Sequence, residues 1–141
     1  MADAHGIDGS ELLYRKVSVN SGWYDPIRDE LKPDAFRPRS DDENGISFDR
    51  AKSDSHPEFR TLEAAAQGAS SNGYYIAVFR AGDLVANGFS LAPDPTDDNV
   101  NSGHSLVTDL TYNNRTNVES QNKMVLLAHK LKLRVEGPFR S

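Results

Sequence analysis

Apolar positions along this chain fall into short runs divided by polar, glycine- and proline-bearing stretches, and the runs set the expected elements. "ELLYRKVSV" has the apolar and β-branched content of a strand over residues 12–19. From Asn20 to Glu43, Pro26, Pro33 and Pro38 stand among charged residues. That pattern predicts an irregular excursion anchored by Trp23, Tyr24 and Phe36. "NGISFDR" predicts a turn and a short strand over residues 46–48. Ser55-x-x-Glu58, with Pro57 in the first turn, precedes Phe59, Leu62 and Ala66 at helical spacing, so a helix is predicted at about 56–67. The continuous aromatic and β-branched run over residues 74–79 lies between Gly73 and Gly82 and predicts a central strand. Its two faces are Tyr75, Ala77 and Phe79 on one side and Tyr74, Ile76 and Val78 on the other, because side chains alternate along a strand.

Further on, "GDLVANG" is too short to assign, "FSLAPDP" ends at prolines, and "HSLVTDLTY" alternates as a strand does. Thr116-x-x-Glu119 reads as a second capping box opening a helix over about 117–131, with Val118, Gln121, Val125, Ala128 and Leu131 on one face. "LKLRVEG" adds a final short strand. Strands and helices without strict alternation point to an α+β domain: a mixed or mainly antiparallel sheet with two principal helices. Residues 1–10 are small and polar and read as a flexible N-terminal tail, leaving residues 11–141 as a single domain.

Composition narrows the function classes. At 141 residues and 37% hydrophobic content the chain can build one core without staples. A net charge of −5 argues against a nucleic-acid binder, which needs a concentrated basic surface. The charge is nevertheless polarised, since residues 81–114 hold five Asp and no Lys or Arg, while 123–141 are mainly basic. The absence of cysteine removes disulfides, thiolate metal sites and cysteine nucleophiles. With no signal-peptide pattern and no apolar run near the ~18 residues that span a bilayer, the expectation is a soluble, cytoplasmic protein without a membrane partner.

The candidate chemistry gathers around a few polar residues. His104 stands where the polar stretch "DDNVNSG" turns into a strand; Gly103 keeps the backbone open beside it and Asn101 supplies an amide, a setting in which an imidazole exchanges a proton with a ligand. The alternative, an imidazole bonded to a nearby carboxylate or carbonyl, stays open. Arg15 and Arg80, at strand positions, offer guanidinium forks to a carboxylate or phosphate, or else salt bridges at the sheet margin. His5, His56, His104 and His129 share no ligand spacing, and Asp94, Asp97 and Asp98 lack the alternation of a calcium loop, so no metal site is expected. Gly-x-Ser-x-Gly, the P-loop and Gly-x-Gly-x-x-Gly do not occur, and no cofactor is called for.

"LLYRKV", then "DAFRPRSDDENGISFDRA", then "PDP" and "NVNSGHSLV" resemble the ordered landmarks of an uncharacterised family of small bacterial proteins. Those landmarks are a Tyr-Arg pair on the first strand, a Phe followed by an Ile/Leu-Ser strand, and an Asn-Pro-Ala-His-Ala loop. The resemblance spans about residues 12–110; the loop here keeps the Asn and His and lacks the Pro and Ala. It implies a polar pocket at one end of the sheet formed by Tyr14, Arg15, Ser47, Asn101 and His104, with no established activity and no assigned catalytic residue.

Three function classes follow. The leading one is a small binding or regulatory module, antitoxin-like or immunity-like, with a protein partner; the acidic middle segment, the long irregular loop and the missing catalytic signatures favour it. The second is a nucleotide-acting enzyme or degenerate enzyme. An Arg on the first strand followed by a Ser on a later strand resembles ADP-ribosyltransferase-like folds, where such groups hold NAD, but the late-strand catalytic Glu has no counterpart: Glu119 opens a helix and Glu136 lies in the tail. The third is an oligomeric structural protein.

Overall fold

The computed structural model describes residues 7–50, 73–93 and 104–139. In chain order the elements are β1 (Leu12–Ser18), β2 (Tyr24–Asp25), β3 (Glu30–Leu31), β4 (Ile46–Arg50), β5 (Tyr74–Arg80), α1 (Ala81–Ala86), β6 (Leu91–Pro93), β7 (His104–Val107), α2 (Val118–Leu126), a π-helical turn at Leu127–Leu131, and β8 (Arg134–Phe139). Six strands form one sheet in the order β6-β7-β4-β1-β5-β8, and every pairing in it is antiparallel. The α+β expectation therefore holds in its mainly antiparallel form. The helix expected at about 56–67 and residue Asn101 lie outside the described residues.

The sheet buries both faces. On one, Leu13, Val17, Ile46, Phe48, Ala77, Phe79, Leu91 and Val107 meet Ala35 and Phe36 of a short 3-10 turn and Met124, Leu127, Ala128 and Leu131 of the C-terminal helix. On the other, Tyr14, Ile76 and Val78 form a smaller cluster with Leu12 and Phe139. Strand β5 thus contributes to both clusters by simple alternation, and it lies between β1 and β8 as an interior strand.

The long helix differs from its expected form in two ways. Thr116 and Glu119 make no capping box; the helix begins after Asn117, which makes no side-chain cap bond, and the capping box instead closes the 3-10 turn at Tyr112–Asn114, with Thr111 and Asn114 as its partners. The buried face is Ser120, Met124, Leu127, Ala128 and Leu131, whereas Val118 is 76% exposed and Val125 44%. Met124, Leu127 and Leu131 are spaced three and four apart and make the wider apolar stripe, so they take the core and leave the two valines outside.

Residues 7–10, expected to belong to a flexible tail, are packed instead. Ile7 is buried in the main core, and Gly82 N–H donates to Gly9 O at 2.8 Å, so residues 7–10 pack onto the start of α1. A side chain at Gly82 would place its Cβ 2.8 Å from that carbonyl, a contact only glycine avoids.

The irregular excursion is held down by specific contacts. Trp23 and Tyr24 pack against the core and Phe36 is fully buried, while β2 and β3 form a small hairpin. Its far end is tied to the helix exit: Tyr24 Oη donates to Asp29 Oδ1 at 2.7 Å, and Lys132 Nζ donates to the same oxygen at 3.1 Å. Asp29 sits at a left-handed φ of 51°, which short polar side chains tolerate better than most. Burial and the bond to Asp29 push the Tyr24 phenol up to about 12, while its own bond from Tyr24, followed by that from Lys132, lowers the Asp29 carboxyl.

A raised phenol favours the protonated folded state. Its stabilisation is complete below the ordinary value of 10.0 and is lost as pH rises through about 12. Tyr24→Phe is therefore expected to remove a tyrosine step near pH 12 from an ultraviolet titration. If that step persists unchanged in the variant, the Tyr24–Asp29 bond does not perturb the phenol.

Candidate functional site

A polar cleft of about 240 Å³ opens across β1 and β4. Tyr14, Arg15 and Ser47, three of the five site residues expected from sequence, line it together. Of the other two, Asn101 is outside the described residues, and His104 is described by its backbone, which pairs with Asp49, another residue of the cleft lining. Tyr14 pairs with the same Asp49 from the opposite side, so Tyr14, Asp49 and His104 occupy one cross-strand row over β1, β4 and β7.

The local backbone explains how Arg15 reaches the cleft. Strands β1 and β4 pair only at Leu13↔Arg50 and Tyr14↔Asp49, although both run on past that point. Where the ladder stops, the Arg15 guanidinium bridges the gap: Nη1 donates to Ser47 O at 2.9 Å and Nε to Ala35 O at 3.1 Å. One arginine thus joins β1, β4 and the segment carrying the Phe36 anchor. Two of its five N–H groups are engaged, and among the described residues Nη2 has no acceptor. Burial lowers the Arg15 pKa to about 10, Asp42 opposes that shift, Arg39 adds to it and Asp49 opposes it. The group remains a cation at neutral pH, held rigidly by two backbone carbonyls.

None of the six remaining lining residues was singled out for the site from the sequence. Lys16 and Arg39 add two cations, Asp41, Asp42 and Asp49 add three carboxylates, and Tyr74 adds an aromatic face with Lys16 Nζ 5.6 Å from its ring centroid. Two of these were within reach of a period-2 argument: Lys16 lies two residues from Tyr14 and Asp49 two from Ser47, so each shares a face with a residue already chosen. Arg39, Asp41 and Asp42 carried no such signal, because they stand on a turn whose position depends on tertiary packing. In that turn Arg39 N–H donates to Asp42 Oδ2 at 2.7 Å, Asp42 N–H to Arg39 O at 2.9 Å, and Tyr112 N–H to Asp42 O at 3.0 Å. Arg80, the other arginine singled out, is not in the cleft lining and pairs with Asp83 at 3.8 Å as a surface contact.

Chemically, the cleft offers a fixed guanidinium, a serine hydroxyl, the Tyr74 ring and balanced charge. Such a surface orients a compact polar ligand through several directional bonds. Among the described residues no group of three histidine or carboxylate side chains is placed to hold a metal ion, and no helix is long and apolar enough to cross a membrane. The chain matches no protein-family model, no curated protein and no solved structure.

Proposed function

We propose that this protein is a small binding module whose cleft across β1 and β4 takes a nucleotide-class ligand, NAD foremost, without processing it through a glutamate. One observation carries the reading: Arg15 on β1 and Ser47 on the neighbouring β4 line one cleft. This is the pair of groups whose order along the chain resembles the NAD-holding residues of ADP-ribosyltransferase-like folds. The carboxylates in the lining are aspartates, and no glutamate stands among them. We place the module in a bacterial cytoplasm, on the strength of the landmark resemblance and the cysteine-free composition.

Thermal unfolding with NAD, AMP and ADP-ribose tests the reading. A ligand at 100 times its dissociation constant adds about 2.7 kcal/mol to the folded state. Ser47→Ala is expected to weaken NAD about ten-fold, or about 1.4 kcal/mol, the loss of one good polar contact. Ser47 is exposed, so the variant should fold as the parent does. Absence of any shift with all three compounds at millimolar concentration would sink the nucleotide reading and leave an antitoxin-like or immunity-like role with a protein partner. Release of nicotinamide from NAD by the purified protein would contradict the binding-only part.

A further inference from the structure

Arg39 and Arg15 are two cations of separate chain segments brought to one small cleft. Arg39 makes no ion pair among the described residues, and its charge pushes against that of Arg15. Two guanidinium groups in a shared concavity repel each other, and an anion between them converts that repulsion into attraction. The Arg15 guanidinium is held in place, and so is the backbone that presents Arg39. Arg15 is fastened to Ser47 O and Ala35 O, and the Arg39 backbone is fastened through the Asp42 turn, which Tyr112 N–H anchors in turn.

We propose that Arg39 is a second ligand-gripping residue and that, with Arg15, it forms a two-arginine clamp for one phosphate or pyrophosphate group. The inference rests on the nucleotide reading of the same cleft and adds the residue that sets its anion class. The guanidinium fork matches phosphate oxygens in pairs, and Nη2 of Arg15 has no acceptor among the described residues to compete for it. Asp41, Asp42 and Asp49 bound the same space, so each further phosphate would meet a carboxylate. The clamp therefore selects a short anion over a triphosphate. At about 240 Å³, below the ~300–1,000 Å³ typical of pockets that enclose a drug-sized molecule, the cleft takes the pyrophosphate of NAD and leaves most of its two nucleosides outside.

Isothermal titration of the full chain with inorganic pyrophosphate, NAD, ATP and nicotinamide riboside separates the outcomes. Arg39 is exposed, so Arg39→Ala should unfold at the parent's temperature. It is expected to weaken pyrophosphate and NAD about ten-fold, to flatten the salt dependence of binding, and to leave the phosphate-free riboside unaffected; Arg39→Lys should recover part of the loss. ATP should bind more weakly than NAD. Equal NAD affinity in the parent and Arg39→Ala overturns the clamp while the nucleotide reading stands. Pyrophosphate binding that depends on Arg39, with no NAD binding, supports the clamp and overturns the nucleotide reading. No binding of any of the four compounds to the parent overturns both.

Discussion

Phe79→Ala is expected to cost about 3–5 kcal/mol in urea unfolding, a large fraction of what a domain of this size has to lose. Phe79 is fully buried on β5, with its ring edge-on to Phe36 at 5.6 Å and to Phe48 at 5.5 Å. Phe36 and Phe48 lie stacked at 6.4 Å, so the three rings make a closed cluster at the middle of the main core. Truncation opens a cavity between the sheet and the 3-10 turn of the excursion and removes two aromatic pairs, each worth about 0.5–1.5 kcal/mol beyond burial. The consequence reaches the cleft. Phe36 anchors the segment that continues through Arg37 and Pro38 to Arg39, and Ala35 O accepts from Arg15. Phe79→Ala should therefore weaken the pyrophosphate clamp as well as the fold, while Phe79→Leu, which retains most of the volume, should do less of both. A cost below 1 kcal/mol would show that the cluster repacks around the gap and that Phe79 is not the wedge its contacts make it.

The elements legible in the sequence were those whose pattern is local. Strand β5 announced itself by a continuous apolar and aromatic run, and β1 by its β-branched content; both were placed to within one residue at each end. The hairpin of β2 and β3 was not legible, since two residues per strand with a charged loop leave no period to detect, and α1 is a single six-residue helix whose only buried side chains are Ala81 and Leu84. The helical face was legible in part: Ala128 and Leu131 are buried as expected, but the stripe continues through Leu127 and Met124, and Val118 and Val125 lie outside it. The site divides along the same line. Tyr14 and Ser47 share a face by strand alternation, whereas Arg15, on the opposite face of β1, reaches the cleft only where the β1–β4 ladder stops, and Arg39 and its neighbouring aspartates reach it only because Phe36 and the Tyr112 bond hold their turn against it.

The same logic of tertiary placement governs the buried ion pair of Glu11 and Arg50. Arg50 Nε donates to Glu11 Oε2 at 2.8 Å and Nη2 to Oε1 at 2.9 Å, a side-on bidentate pair that raises the guanidinium pKa through its hydrogen bonds to the carboxylate. The Glu11 side chain is 2% exposed and that of Arg50 13%. Glu11 also sets the start of α1 through its backbone, since Ala81 N–H donates to Glu11 O at 2.9 Å. Removing Arg50 leaves the buried Glu11 carboxylate uncompensated, at a cost of about 3–5 kcal/mol, whereas replacing both partners with apolar side chains of similar volume is often near neutral. The two single variants should not be equal. After Glu11→Ala the Arg50 head can turn its 13% exposed side toward water, but after Arg50→Ala the carboxylate has almost no route to solvent, so Arg50→Ala should be the more damaging. Urea unfolding of both singles and of the Glu11→Leu, Arg50→Met double variant gives the coupling directly. Single costs under 1 kcal/mol, or a double variant as unstable as the sum of the singles, would mean that the pair contributes as two independent surface charges do and not as one buried unit.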